Sequence, residues 1–296
     1  MNPSLLLPIF LLLGAPPAIK PSAPGAVPAA EVQESSAPTS LAEATEAARK
    51  AGKERIFFFL YARDCGDCQR MDVLIRPARA FQDYVANKLV VELDMDTPGG
   101  AEVAARFGIQ APPAWVVITP EGVLSWVQSG MLPQSKWFDA LLESERSWAH
   151  YQVMLRKEAE EPKNGALIFE NAVETFKRRG DALAEPRFRK VIDDRTAPAE
   201  AREKALAYLA TIEMDADKVE EARGHLEQLL STVKDPALRE RAELRMAEAE
   251  IGLGRNESAL RRLEGFRKAY PESKSLSQAD QMKRYIESIL AGARKN

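Results

Sequence analysis

The sequence predicts an α/β domain, a mixed sheet flanked by helices, over residues 40–147, and an all-α domain of repeated helical hairpins over 148–296. Three observations predict this. Apolar runs of strand length at 56–61, 89–93, 114–118 and 123–127 alternate with helical patterns in the order βαβαββ. From Gln134 onward no strand pattern occurs. Small residues recur at a fixed interval: Ala172, Ala210 and Ala247, then Ala184, Ala222 and Ala259, at spacings of 38 and 37 residues.

The elements follow in order. Residues 5–14 are an apolar run of the length of an export signal and too short to span a bilayer, although residues 1–4 lack Lys and Arg. A Pro/Ala/Ser-rich tract over 15–39 predicts an extended tether. Residues 1–39 are thus expected to be signal and linker, and the protein to be exported, to a bacterial periplasm. Ser40 and Glu43 fit a capping box for a helix that stops near Gly52. Ile56 to Tyr61 is continuously apolar and aromatic, which predicts a strand buried on both faces. A helix opens at the cysteines, is kinked or restarted at Pro77 and runs to about Asn87. Leu89 to Leu93 reads as a second buried strand. Pro98-Gly99-Gly100 reads as a connection before a short helix over 101–107, and Pro120-Glu121-Gly122 as the turn of a hairpin. A long helix starts near Gln134 and runs through Trp148 toward Glu161. In each helical repeat the second alanine is followed at +4 and +7 by an apolar residue: Phe188 and Val191, Leu226 and Leu229, Leu263 and Phe266.

Composition excludes several functions. The net charge is −3, and residues 151–296 hold 28 Lys/Arg against 27 Asp/Glu, so neither half is a polybasic binder of nucleic acid. The chain has two cysteines and two distant histidines, His150 and His225, which do not make a zinc ligand set. No nucleophile–histidine arrangement points to a hydrolase and no glycine-rich loop to a nucleotide. No metal or cofactor is expected.

Cys65 and Cys68 stand three apart, directly after a strand and at a helix start. There the unpaired N–H groups and the helix dipole stabilise a thiolate, the form that attacks a disulfide. Cys65 is expected to attack and Cys68, one turn on, to resolve. In an oxidising compartment the pair forms a disulfide.

Residues 41–142 resemble the thioredoxin-fold domains of exported thiol–disulfide interchange proteins. The matching stretches are Phe57 through Cys68, Leu93-Asp94-Met95-Asp96 and Phe107 through Pro113, with Gly122 and Gly130 at the family's turn and late-strand glycines. The resemblance implies a thioredoxin fold, and it implies that Pro113 is the cis-proline that packs beside the dithiol and helps dock substrate. This chain departs from the family at four places. Asp64 replaces the usual Trp before the first cysteine, and Gly66-Asp67 replaces Gly-Pro between the cysteines. Phe59 takes about the place of a buried carboxylate. Pro112 lacks the N–H that the family offers to an extended substrate. Asp64 and Asp67 oppose a thiolate, while Arg63 and Arg70 favour it. The expected balance is a less stabilised thiolate and a more reducing couple.

Residues 165–271 resemble tetratricopeptide repeats. The clearest unit is Ala242 to Pro271, with Ala247, Gly254, Ala259 and Pro271 at family spacing; Asp217 stands where Gly254 does in the last unit. Such arrays stack into a superhelix that binds segments of other proteins. The two resemblances together imply an exported thiol–disulfide oxidoreductase acting on protein thiols and disulfides, with a partner recruited by the repeats. The alternative is a non-catalytic interaction scaffold on a thioredoxin fold.

Overall fold

The computed structural model describes residues 37–293; the export signal and most of the tether expected over 1–39 lie outside them. The first helix, α1 (Leu41–Lys50), is capped by Ser40, whose Oγ accepts from the Glu43 N–H at 3.2 Å. The reciprocal half of the box differs from expectation. The Glu43 carboxylate accepts from the Thr39 N–H (2.7 Å) and hydroxyl (3.0 Å), and these bonds hold it below the usual carboxylate range.

The sheet has the order β2-β1-β3-β4. β1 (Ile56–Tyr61) is central, parallel to β2 (Leu89–Asp94) and antiparallel to β3 (Ala114–Ile118), which pairs with β4 (Leu124–Ser129). Side chains alternate across a strand. Ile56, Phe58 and Leu60 therefore pack against α1 and α4 (Pro98–Phe107), through Ala44, Ala48, Val103 and Phe107. Phe57 and Phe59 pack on the other face against α2 (Gly66–Leu74), α3 (Arg79–Val85) and α5 (Gln134–Glu160). Two helical layers explain why β1 is apolar without alternation. β2 differs from the expected fully buried strand: it is an edge strand whose Val91 and Leu93 are buried while Val90 and Glu92 face out.

Pro98-Gly99-Gly100 also differs from expectation, for it is the first turn of α4, capped by Thr97. A Cβ on Gly99 would lie 1.8 Å from the Thr39 carbonyl oxygen, and one on Gly100 2.0 Å from that of Asp94. The glycines serve close approach here, and composition alone reads them as a loop.

The remaining helices are α6 (Gly165–Lys177), α7 (Asp181–Asp193), α8 (Ala199–Asp215), α9 (Val219–Thr232), α10 (Pro236–Gly252), α11 (Asn256–Ala269) and α12 (Leu276–Ala293). The six repeat alanines are buried where helices pair, and the +4 and +7 residues fill the same cores. Between the helices of each pair the chain turns through a left-handed residue: Arg179 (φ 58°), Asp217 (φ 60°) and Gly254 (φ 69°). Asp217 thus adopts the conformation of the glycine it replaces.

α5 is unbroken across residues 147 and 148 and carries the chain into the repeats. The α6–α7 turn sits on the start of β4. The Leu124 N–H donates to the Arg178 carbonyl (2.7 Å). The Arg178 guanidinium donates to the Leu124 carbonyl (3.3 Å), the Ser147 carbonyl (3.2 Å) and the Ser147 hydroxyl (2.7 Å), and lies 4.9 Å from the Tyr151 ring centre. Val123, Trp148 and Tyr151 form a small core at this joint, and the Tyr151 and Thr175 hydroxyls are bonded at 2.9 Å.

Candidate redox site

β1 ends at Tyr61 and the chain reaches Cys65 in four residues. Cys65 has extended backbone (φ −98°, ψ 97°) and is the N-cap of α2; its Sγ accepts from the Cys68 N–H at 3.0 Å. This places the sulfur at the positive end of the helix, where a thiolate is favoured in the reduced protein. Cys65 and Cys68 are joined as a disulfide, with Cα atoms 5.2 Å apart. They differ in environment: Cys65 is half-buried, whereas Cys68 is buried within the layer that holds Phe57, Phe59, Met71, Trp115 and Trp137. An exposed sulfur is open to a partner, and a buried one is reached only from the first.

An aromatic wall backs the pair. Phe59 stacks between Tyr61 (6.2 Å) and Trp115 (5.7 Å), and Trp115 meets the edge of Trp137 (5.4 Å). Phe59 occupies the place expected of a buried carboxylate, so no acid is supplied from that position. The Arg76 guanidinium lies 5.5 Å from its ring centre and pairs with Asp72 (3.2 Å) and Glu92. Sequence reasoning did not find Arg76 or Trp137. Arg76 follows the helix that carries the dithiol, and Trp137 and Leu141 share an i, i+4 face of α5; that spacing was the available signal.

The flanking charges sort into pairs. Asp67 is paired with Arg70 on α2. Arg63 is mostly exposed and pairs with the buried Asp94 at 3.3 Å, whose other oxygen accepts from the Asp96 N–H. Asp64 is exposed and has no ion pair among the described residues. The four charges read from sequence as two against two therefore do not act as a group.

Pro113 is buried, the Pro112–Pro113 peptide is cis, and the Pro113 carbonyl accepts from the Gly130 N–H at 2.8 Å. Ala114, the next residue, pairs with Leu60. Pro113 thus lies at the end of the sheet from which the chain leaves β1 for Cys65, and Pro112 stands beside it, half-buried and without an N–H. His225 is bonded to the buried Glu213 at 2.7 Å, and among the described residues no cluster of His, Cys, Asp and Glu is built to hold a metal ion.

The family described as a thioredoxin-like domain matches residues 41–145, and the family described as a tetratricopeptide repeat-like domain matches 141–278. The chain is a thioredoxin-like domain followed by a tetratricopeptide repeat-like domain. The thioredoxin-like part is similar to a thioredoxin from Thermus thermophilus, 21% identical over 37% of this chain and 84% of that one, with a TM-score of 0.32. It is also similar to a protein titled DsbH Oxidoreductase, 21% identical over 36% of this chain and 85% of that one (TM-score 0.30). A thioredoxin from Fasciola hepatica is 19% identical over 36% and 95%, with a TM-score of 0.29. No curated protein matches the chain. Within the thioredoxin-like domain the close cysteine pair is the feature with evident chemistry.

Proposed function

We propose that the protein is an exported thiol–disulfide oxidoreductase in which Cys65 attacks, Cys68 resolves, Pro113 helps dock the substrate and the tetratricopeptide-like domain recruits the partner. One observation carries the redox reading: a half-exposed Cys65 at the N-terminus of α2, bonded to a buried Cys68 one turn on. In the reducing direction the Cys65 thiolate attacks one sulfur of a partner disulfide. A Cys65–partner disulfide forms, and the partner's own S–S bond breaks, its leaving thiolate taking up a proton. The Cys68 thiolate then attacks the Cys65 sulfur, forms the Cys65–Cys68 disulfide and releases the second partner thiol. Two electrons and two protons pass to the partner, and an external dithiol must restore the reduced pair. Run backward from the disulfide, the same steps oxidise a partner dithiol. The reduction potential of the pair against its partners sets which direction prevails.

The test is a pair of substitutions. Cys65→Ser abolishes reduction of a small aromatic disulfide, and Cys68→Ser accumulates mixed disulfides with partner proteins in the exporting cell. A Cys68→Ser protein that gathers no covalent adducts where a comparable thioredoxin variant does would overturn the redox reading and leave the scaffold. Export is tested by finding the protein in the periplasmic fraction, shortened by removal of its first residues.

A further inference from the structure

The inner helices of the repeats, α6, α8 and α10, form a groove of about 410 Å³ whose chemistry is one-sided. Phe169, Val173 and Tyr208 make its floor, and Lys204, Arg241 and Arg245 its polar lining; no carboxylate lines it. The floor is rigid. Tyr208 stacks face to face on Phe188 (5.1 Å, 3° between planes) and is met by Phe176 (5.3 Å) and Phe169 (6.3 Å), yet remains half-exposed.

The charge separation is built by α10. Three of its four carboxylates are engaged away from the groove, Glu240 by the Ser273 hydroxyl and Glu243 and Glu250 by Arg262, while Glu248 bonds Gln278 and pairs with the lining Arg245. Arg241, on the same helix, is exposed in the groove and makes no ion pair among the described residues. Lys204 and Arg245 are held by acids of their own helices, Glu200 and Glu248, outside the lining. An apolar aromatic floor beside the unpaired Arg241, with the paired Lys204 and Arg245 able to turn further donors toward it, is complementary to an extended segment that carries carboxylates around an apolar anchor.

Resting on the recruiting role given above to the repeats, we infer that this groove binds an acidic segment of the partner protein with an aromatic or aliphatic residue at its centre. Three neighbouring helices roughly 10 Å apart span about 20 Å, the length of about six extended residues. The apolar residue seats on Phe169 and Tyr208, and the flanking carboxylates meet Arg241, Arg245 and Lys204. Attraction across an exposed rim is screened by salt.

The experiment uses the full chain and a fluorescein-labelled peptide of about eight residues, glutamates on both sides of a phenylalanine, read by anisotropy. Its counterpart has glutamine for every glutamate. The glutamate peptide is expected to bind about tenfold or more tighter, to weaken steadily with added salt, and to lose about tenfold in affinity to Arg241→Glu or Arg245→Glu. Both variants are expected to keep the melting temperature and the reduction of a small aromatic disulfide. Equal binding of the two peptides, or an Arg241→Glu protein that binds as the parent does, overturns the inference. So does light scattering that finds a dimer which Arg241→Glu dissociates, since the groove then holds a second copy. Peptide binding by a protein inactive toward disulfides upholds this inference and removes the redox reading alone.

Discussion

The Asp67 carboxylate between the two cysteines is ion-paired with the Arg70 guanidinium, three residues on along α2. A unit charge ~6 Å from a thiol in a near-aqueous setting is worth about 0.7 kcal/mol, about half a pK unit. Asp67→Asn leaves Arg70 uncompensated, so the Cys65 thiolate of the reduced protein forms more easily and the couple becomes more oxidising by about 15 mV. Arg70→Gln does the reverse. The double variant returns close to the parent. Thiol titration and equilibration with glutathione measure both quantities, and two single variants that move the same way would show that Asp67 acts through something other than this pair.

Pro112 cannot donate the backbone hydrogen bond expected beside Pro113. Pro112→Thr supplies that N–H. A net gain of roughly 0.5–1.5 kcal/mol lowers KM for a protein disulfide by about two- to tenfold, with the rate on a small aromatic disulfide unchanged. A matching change on both substrates would place the effect in the dithiol and not in docking.

Lys88 is buried at the other end of the sheet, with its Nζ 2.5 Å from the Tyr84 carbonyl oxygen and 3.5 Å from the Tyr84 ring centre. Burial, aided by the nearby Arg55 charge and opposed by Glu145, lowers its pKa from 10.5 to about 8. Between pH 8 and 10.5 the unfolded chain then binds more protons at this residue than the folded one, so stability attributable to Lys88 rises with pH. Urea unfolding at pH 7, 8 and 9.5 is expected to show that rise in the parent and not in Lys88→Met, which is the more stable at pH 7. The range stays below tyrosine titration, since Tyr84, itself pushed up by burial, works in the opposite sense above pH 10.

Arg178→Ala removes three hydrogen bonds that join the α6–α7 turn to β4 and α5. Losing three bonds made by a guanidinium, each of modest net worth, costs about 2–3 kcal/mol in all. The parent is expected to unfold in one thermal transition and the variant in two, the thioredoxin-like and repeat parts separating. Arg178→Lys is expected to restore little, because a single ammonium does not reproduce the fork. One unchanged transition in Arg178→Ala would mean that α5 alone couples the two parts.

What sequence showed and what it hid follow from the range of the interactions. β1, the α2 start at Cys65 and the repeat alanines were legible because apolar period and helix capping are local signals. The turn at Asp217 was legible only by its spacing from Gly254. Hidden were features set by distant neighbours. Gly99 and Gly100, in the helix turn that Thr97 caps, are glycines because the Thr39 and Asp94 carbonyls press on them. Val90 faces out because β2 is at an edge. Arg70 cancels Asp67, and Arg178 reaches back to a strand more than fifty residues earlier. At the dithiol, the cysteines were legible and their surrounding charges were only countable, since pairing depends on which side chains meet.

The unbroken α5 turns the molecule into a measuring rod. Trp137 lies in the same layer as Cys68, and Met154, further along α5, accepts a hydrogen bond from Asn171, which sits between Phe169 and Val173 of the groove. Those 17 residues of helix amount to about 25 Å, and the Arg178 joint ties the α6–α7 turn to β4 beside that helix. Under the proposed function, a client held at the groove and served at the dithiol needs a spacer on that scale, about seven extended residues. On that proposal, clients with shorter spacers would be gripped without being served, and selection would be by reach as well as by sequence.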